Sequence, residues 1–399
     1  MVHNPKKICF LSDTHGLYDD RIYWKEAISL KKAGYEAWHI FVGDKQEQGI
    51  TKEGIHYIGL PQKTFSKKRI ANYLLKKISP SNLYGEILEE ATKINADVYH
   101  LHDLKLNRIG RKLQKLPRKP KIIYDVHEPH PENILDYFET KGIFNMLKKT
   151  YAAYIRWWEM KNAKNYDFVI ATEENVRDRF RQHLAKEKVD IIYNYTNLQD
   201  ARKNVEYNQK EYDAIYCGGI TKFRGAWQIL QAAKLAKEKK ENLKILFLGS
   251  WFPAELKDKM IDYIQTNDLT ENVILHENVP YSQVSGFYNK SRIGLGIFLP
   301  IRTHKIILQI KIFEYMNFGL PIIGSNFGHI NDYIKKDKAG ISVNPEKPEE
   351  IADALIKLLT DNEMYNQCRI NGMKAVDEKY NWGVMEKKLV GIYGKVLGE

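Results

Sequence analysis

The run Gly218-Gly219-Ile220-Thr221-Lys222-Phe223-Arg224-Gly225 follows an apolar segment and opens a helix-length one. Glycines let backbone N–H groups come close to an anion, and a helix start adds partial positive charge. Lys222 and Arg224 bring full charges suited to a diphosphate. No Gly-Lys-Ser/Thr follows, so this is not a Walker A loop; an ordinary glycine-rich turn is the plainer alternative. In Lys311-Ile312-Phe313-Glu314-Tyr315, the lysine and the glutamate are three apart and share a helix face. Such a lysine can hold a phosphate while the glutamate accepts hydrogen bonds from ribose or sugar hydroxyls. The alternative is a solvent-exposed ion pair. Asp125-Val126-His127-Glu128 ends an apolar run, as Tyr99-His100-Leu101-His102-Asp103 ends the one before it. Polar residues at strand ends are where α/β sites are built. His127 there is suited to bonding a sugar hydroxyl or stabilising developing charge, or it is a satisfied structural histidine. The prolines of His127-Glu128-Pro129-His130-Pro131 forbid a zinc-binding helix, and no metal site is expected.

Two absences narrow the chemistry. There is no Asp-x-Asp to chelate a divalent ion onto a nucleotide-sugar diphosphate. There is no GxGxxG, since Gly294 and Gly296 are followed by Leu299 where a third glycine is needed, which weakens a nicotinamide or flavin reading.

These segments need elements that bring strand ends together. Short apolar runs alternate with helix-length segments: strands at Lys7–Leu11, Glu36–Val42, Val98–Leu101, Ile122–Val126, Phe168–Ala171 and Asp190–Tyr193, with a helix at Ile22–Ala33. Such alternation predicts a parallel sheet. The pattern restarts after a polar stretch. Strands are expected at Ala214–Cys217, Lys244–Leu248, Asn272–His276, Gly294–Phe298 and Leu320–Gly324. Helices are expected at Ala226–Lys239, Pro253–Asn267, Ile310–Phe318, Pro348–Thr360, Glu363–Glu378 and Trp382–Leu397. The expected fold class is α/β, two Rossmann-like doubly wound domains divided near residue 205, with strand ends facing one central cleft.

The chain has 399 residues, 43% hydrophobic, with a formal net charge of +12, which favours anionic partners. The three cysteines are far apart and read as buried hydrophobes, not as disulfides or a zinc ribbon. Neither a signal peptide nor a membrane span is expected, so a cytoplasmic protein is. Basic residues cluster without acids at Gln62–Pro80 and Leu104–Tyr124, which suits peripheral docking on an anionic inner membrane, a phosphorylated acceptor or a solvated face. Phe144, Leu147, Tyr151, Tyr154, Ile155 and Trp158 form a stripe at helical spacing, expected to be core, with an interfacial helix as the alternative.

In order and spacing these motifs resemble the retaining family 4 glycosyltransferases of the GT-B fold. The resemblance runs from Asp20-Arg21-Ile22 and Ala33-Gly34-Tyr35-Glu36 through His102-Asp103 and Tyr124-Asp125-Val126-His127-Glu128. It continues in Gly218-Gly219, Arg224-Gly225, Phe247-Leu248-Gly249 and Lys311 through Ile323. It implies an acceptor-binding domain (1–205), a donor-binding domain (206–378) and a C-terminal helix (379–399) returning to the first. It implies a UDP- or GDP-sugar donor, no further cofactor, and a glycan or lipid-linked acceptor in surface polysaccharide or glycolipid synthesis. Arg224 and Lys311 would hold the diphosphate and His127 the transferred sugar, these three being the catalytic set. Glu314 would bind ribose, Val279 would lie near the base, and Gly16, Gly219 and Gly249 would line the donor. The family's Glu-x7-Glu motif has its second acid at Glu314, but Ile306 stands in the first place, with His304 and Gln309 the polar residues nearby. Gly218-Gly219 also replaces the usual Gly-Arg. A GT-B scaffold without catalysis, a sugar-nucleotide epimerase and a basic nucleic-acid-binding protein are the competing readings. No nucleic-acid module is visible, so nucleic acid is not an expected partner.

Overall fold

The computed structural model describes residues 4–62, 83–137, 142–197, 201–203 and 205–399. Chain contacts divide the protein into two units, Met1–Asn194 with Met385–Glu399, and Tyr195–Val384.

Unit 1 begins with β1 (Lys7–Leu11), then a wide-turned π-helical stretch (Asp20–Ala27) running into α1 (Ile28–Lys32). Asp19 caps the stretch, its Oδ1 accepting from the Arg21 and Ile22 amides at 2.9 Å. There follow β2 (Glu36–Gly43), β3 (Glu47–Ile50), β4 (His56–Pro61), α2 (Leu83–Ile94), β5 (Val98–His102), α3 (Asn107–Leu113) and β6 (Lys121–Val126). Then come α4 (His130–Tyr137), α5 (Ile143–Ala163), β7 (Phe168–Ala171), α6 (Glu174–Arg181) and β8 (Val189–Ile191). The sheet order is β3-β4-β2-β1-β5-β6-β7-β8. Strands β1, β5 and β6 are almost wholly buried, as central strands covered by helices on both faces must be. Leu11, Ile40, Ile87, Tyr99 and Leu101 pack one core.

Two expectations for this unit need correction. The sheet is not wholly parallel: β3 runs antiparallel to β4, because the tight Thr51–Gly54 turn between them is too short for a crossover. The stripe on α5 is not core. Phe144 is 66% exposed, and Leu147, Tyr151 and Tyr154 are each more than half exposed; only Ile155 is buried. The helix buries its small residues instead, Ala152 and Ala163 among them. The basic run at 62–80 lies outside the described residues apart from Gln62; Leu104–Tyr124 covers α3 and the start of β6.

Unit 2 contains β9 (Tyr212–Cys217), α7 (Ala226–Lys239), β10 (Ile245–Gly249), α8 (Glu255–Thr266), β11 (Val273–Glu277), α9 (Tyr281–Asn289) and β12 (Ser291–Gly296). It continues with α10 (Arg302–Ile306), α11 (Lys311–Asn317), β13 (Ile322–Ser325), α12 (Gly328–Asp337), β14 (Gly340–Val343), α13 (Pro348–Thr360) and α14 (Asn362–Glu378). Helix α15 (Trp382–Leu397) follows and carries the chain back into unit 1. The sheet is parallel throughout, in the order β11-β10-β9-β12-β13-β14. Ile229, Leu230, Phe247 and Ile293 lie in its core. The strand expected at Gly294–Phe298 begins earlier, at Ser291, and stops at Gly296; beyond it the Phe298 amide donates to a side chain, Ser325 Oγ.

In each sheet the chain leaves a central strand to one side and later returns to its other side: between β1 and β5, and between β9 and β12. Ligands bind at the carboxyl ends of strands at such switch points. No helix among the described residues is long and apolar enough to cross a membrane.

Candidate functional site

In unit 2 the switch point is built from glycines and cations. After β9, the Gly218 amide donates to Leu248 O at 2.9 Å and the Ile220 amide to Ser250 O at 2.8 Å, tying the loop to the chain after β10. A Cβ at Gly249 would lie 1.8 Å from Gly218 O, so this close approach admits only glycine. Gly225, at φ +65°, caps α7 in a conformation that L side chains rarely adopt, and its own Cβ would meet Ile297 at 2.5 Å. The N–H groups at the start of α7 therefore follow directly on Arg224, whose Nη1 lies 3.1 Å from where a Gly219 Cβ would be.

Lys311 is the first residue of α11 and is only 8% exposed. Its Nζ sits 3.7 Å from the centre of the Tyr216 ring and 5.3 Å from that of Phe298. It has no hydrogen-bond partner among the described residues. Burial pushes its pKa down to about 7, and Arg224 adds to the effect while Cys217 and Glu314 oppose it. A buried amine beside a guanidinium is unstable as an ammonium until an anion arrives.

Glu314, one turn along α11, is also buried. Its Oε1 accepts from Tyr281 OH at 2.8 Å and its Oε2 from Tyr288 OH at 2.6 Å. The alternative of an exposed Lys311–Glu314 pair is thereby overturned: burial removes the solvent that such a pair needs, and the acid is held by two phenols. Val279, half-buried between β11 and α9, is two residues before Tyr281. His304 and Gln309 are buried in the connection from β12 to α11, and His304 Nδ1 lies 3.0 Å from Leu299 O.

In unit 1 the site lies on one sheet face. Side chains of a strand alternate, so His100 and His102 share a face of β5. The register puts Phe10 beside His100 and Asp125 beside His102. The π-helical stretch brings Arg21 and Glu26 over this face. Arg21 Nε and Nη2 donate to Asp125 Oδ2 at 3.0 and 2.7 Å, and Nε lies 3.1 Å from Glu26 Oε1. Tyr393 OH lies 2.8 Å from His100 Nδ1.

At the strand ends, His127 Nε2 lies 2.8 Å from His102 Nδ1. Burial holds the His127 pKa down at about 4, against the opposing pull of Asp125, so its imidazole is neutral at pH 7. His15 is the opposite case. Its Nδ1 is 2.8 Å from Asp19 Oδ2 and its Nε2 3.3 Å from Asp103 Oδ1. Burial lowers its pKa, but bonds to Asp103 and Asp19 prevail and raise it to about 10. His15 is thus an imidazolium bridging two carboxylates, with its ring centre 5.0 Å from that of His127. Gly16 follows it, with no heavy atom within 4 Å of a would-be Cβ.

Two clusters here have donor atoms within 4.8 Å of one another, Glu26-His100-His102-Asp125 and His15-Asp103-His127. Each already contains a cation of the chain's own: Arg21 in the first and the His15 proton in the second.

The structure thus gathers Gly219, Arg224, Gly249 and Lys311 at one switch point, with Glu314 in the same helix as Lys311 and Val279 near its tyrosine partner. His127 lies at the other, beside His15, which directly precedes Gly16 in the chain. Sequence reasoning named Asp103 at a strand end without giving it a role, and it missed His15 and Asp19 in the loop that leads into the π-helical stretch. It missed Tyr281 and Tyr288 too, although their spacing of seven places them on one face of a helix.

Comparison with known proteins adds the following. The family model described as Glycosyltransferase Family 4 matches residues 27–200, and that described as Glycosyl transferases group 1 matches residues 198–375. A glycosyltransferase of Methanocaldococcus jannaschii is 22% identical over 74% of this chain and 75% of its own length. The capsular polysaccharide biosynthesis glycosyltransferase CapM of Staphylococcus aureus is 26% identical over 58% of this chain and 62% of its own. Among solved structures, Anabaena HepE in complex with UDP superimposes with a TM-score of 0.71 at 12% identity, covering 98% of this chain and 100% of its own. Sucrose-phosphate synthase of Thermosynechococcus elongatus gives 0.72 at 14% identity, covering 98% and 99%.

Proposed function

The chain belongs to glycosyltransferase family 4 and has the two Rossmann-like units of the GT-B fold; on that premise we propose that it moves a hexosyl group from a nucleotide diphosphate-sugar to a glycan or lipid-linked acceptor, with retention at the anomeric carbon. The observation that carries this reading is the buried Lys311 amine, without an acceptor of its own, beside Arg224 and the glycine turn. A diphosphate supplies the missing negative charge.

In this reading, the bond between the anomeric carbon and the phosphate oxygen breaks while the acceptor oxygen attacks the same face. The acceptor proton passes to the departing phosphate. Lys311, Arg224 and the start of α7 hold the charge that grows on the phosphate, which is electrostatic catalysis by groups already in place, without a metal. Glu314 takes the ribose hydroxyls alongside its tyrosines. Neutral His127 bonds a hydroxyl of the transferred sugar, and the backbone at Gly16 leaves room for it. Gly249 is needed for the turn itself. A uridine diphosphate sugar is the first donor to try, because HepE was solved with UDP and with UDP-glucose. The name of CapM supports a role in surface polysaccharide synthesis.

The test is calorimetry with UDP-glucose, other UDP-sugars and GDP-sugars, without added metal, on wild type, Lys311→Met and Glu314→Gln. One donor should bind selectively, and Lys311→Met should weaken it by about 1.5–3 kcal/mol, the worth of a charged hydrogen bond. NMR of the product should then show the donor's anomeric configuration. A folded protein that binds none of these donors would sink the proposal and favour a scaffold without catalysis.

A further inference from the structure

One face of α5 is apolar and turned to solvent. Phe144, Met146, Leu147, Tyr151, Tyr154 and Trp157 are each more than half exposed. At 100° per residue they occupy an arc of roughly 160°, opposite the buried Ala152, Glu159 and Ala163. Contiguous apolar patches of this kind mark contact surfaces.

The charges around it specify the partner. Lys148, Lys149, Arg156 and Lys161 of α5 are cations, Arg156 pairing with Glu132 of α4 at 2.6 Å, and the helix's one acid, Glu159, is buried against Tyr124 and Arg179. Beside Trp157 an open groove of about 840 Å³ is lined by Arg156, Lys161, Lys164, Arg179 and His183 over an apolar floor. Lys161 Nζ lies 4.7 Å from the centre of the Trp157 ring. A two-fold contact with a second copy would set these cations against themselves, whereas an anionic surface would complement them.

We propose that α5 docks on a bilayer containing anionic lipid. The helix lies in the interfacial plane, its aromatic and aliphatic stripe enters the acyl boundary, and lipid phosphates sit in the groove beside Trp157. This does not depend on the sugar-transfer reading.

The test is flotation of the whole protein with vesicles of phosphatidylcholine alone, or with roughly 30% phosphatidylglycerol, at low and high salt. Wild type should float with the anionic vesicles and be partly released by salt. Leu147→Ser/Trp157→Ser should lower the bound fraction at least ~10-fold with an unchanged melting temperature. Lys161→Gln/Lys164→Gln should weaken binding and flatten its salt dependence. The proposal is overturned if wild type ignores anionic vesicles, or if neither double variant changes binding. It is also overturned if light scattering shows a dimer that Leu147→Ser/Trp157→Ser dissolves, since a second copy then covers this face. UDP-glucose calorimetry on the same samples reports separately on the donor site.

Discussion

Donor binding should be coupled to a proton at Lys311. In the free protein this amine has a pKa of about 7, against 10.5 for an ordinary lysine, because it is buried beside Arg224 without an anion. Below pH 7 it is charged already, and a diphosphate meets an ammonium. Above pH 7 the free amine is neutral, and binding must draw a proton from solution. Linkage then makes affinity fall by up to tenfold per pH unit, about 1.4 kcal/mol, or ~50-fold between pH 7 and pH 9. At pH 8 the uptake should be about 0.9 proton per donor bound. UDP-glucose suits the measurement because its diphosphate diester has no proton to lose in this range. Calorimetry at pH 8 in buffers of different ionisation enthalpy gives the number directly. Lys311→Met should bind more weakly at pH 7, with no proton uptake and a flat pH profile. Without donor the sign reverses. The folded pKa lies below the unfolded one, so the unfolded chain holds more protons between pH 7 and 10.5, and this lysine makes the free protein more stable as pH rises through that window. A flat wild-type profile with no uptake, or the same slope in Lys311→Met, would refute the reasoning.

Tyr288→Phe leaves buried Glu314 Oε2 without its donor, so stability should drop by about 1–3 kcal/mol in chemical denaturation, with a smaller loss for Tyr281→Phe, whose phenol is partly exposed. Gly249→Ala forces a methyl group into Gly218 O; donor binding by calorimetry should be lost even in preparations that keep a cooperative melt. Arg21→Met strands Asp125 and Glu26 in a buried site, at a cost of about 3–5 kcal/mol by urea titration. Nitrogen NMR should find the His15 ring still protonated at pH 8 and the His127 ring still neutral at pH 5.5, and a neutral His15 at pH 8 would remove the cation from the unit 1 site.

Much of the scaffold is legible because its signals are local. β1 and β7 are short apolar runs, and α7, α13 and α15 fall on the expected bounds because their apolar residues recur at helical spacing between clear stops. β3 escaped because it is a half-exposed edge strand containing a glycine. α12 and β14 escaped because their segment mixes charge with few apolar residues. At the site, the helix start at Lys311 is readable, but burial is not: Tyr216 and Phe298, which cover the amine, come from two other strand ends. The alternation in Tyr99-His100-Leu101-His102 already places two histidines on one face. Only the fold adds Arg21 and Asp125 to them, and only it divides the charge, with a cationic His15 beside a neutral His127. The α5 stripe shows the limit from the other side, since helical periodicity gives a face but not which way that face points.

The chain enters unit 1, leaves it at Asn194 and comes back at Met385. Synthesis on the ribosome therefore cannot finish the first unit first. Tyr393, which meets buried His100, and Lys388, whose Nζ lies 2.8 Å from Asp190 Oδ1, are made only after all of unit 2. At about 5–20 residues per second, Tyr195–Val384 takes roughly ten to forty seconds to translate. During that interval the emerging eight-stranded sheet waits with an unclosed face, while the second unit, contiguous in sequence, is free to fold as soon as it clears the exit tunnel. The unit begun first is completed last, and nascent-chain aggregation or chaperone capture should centre on it.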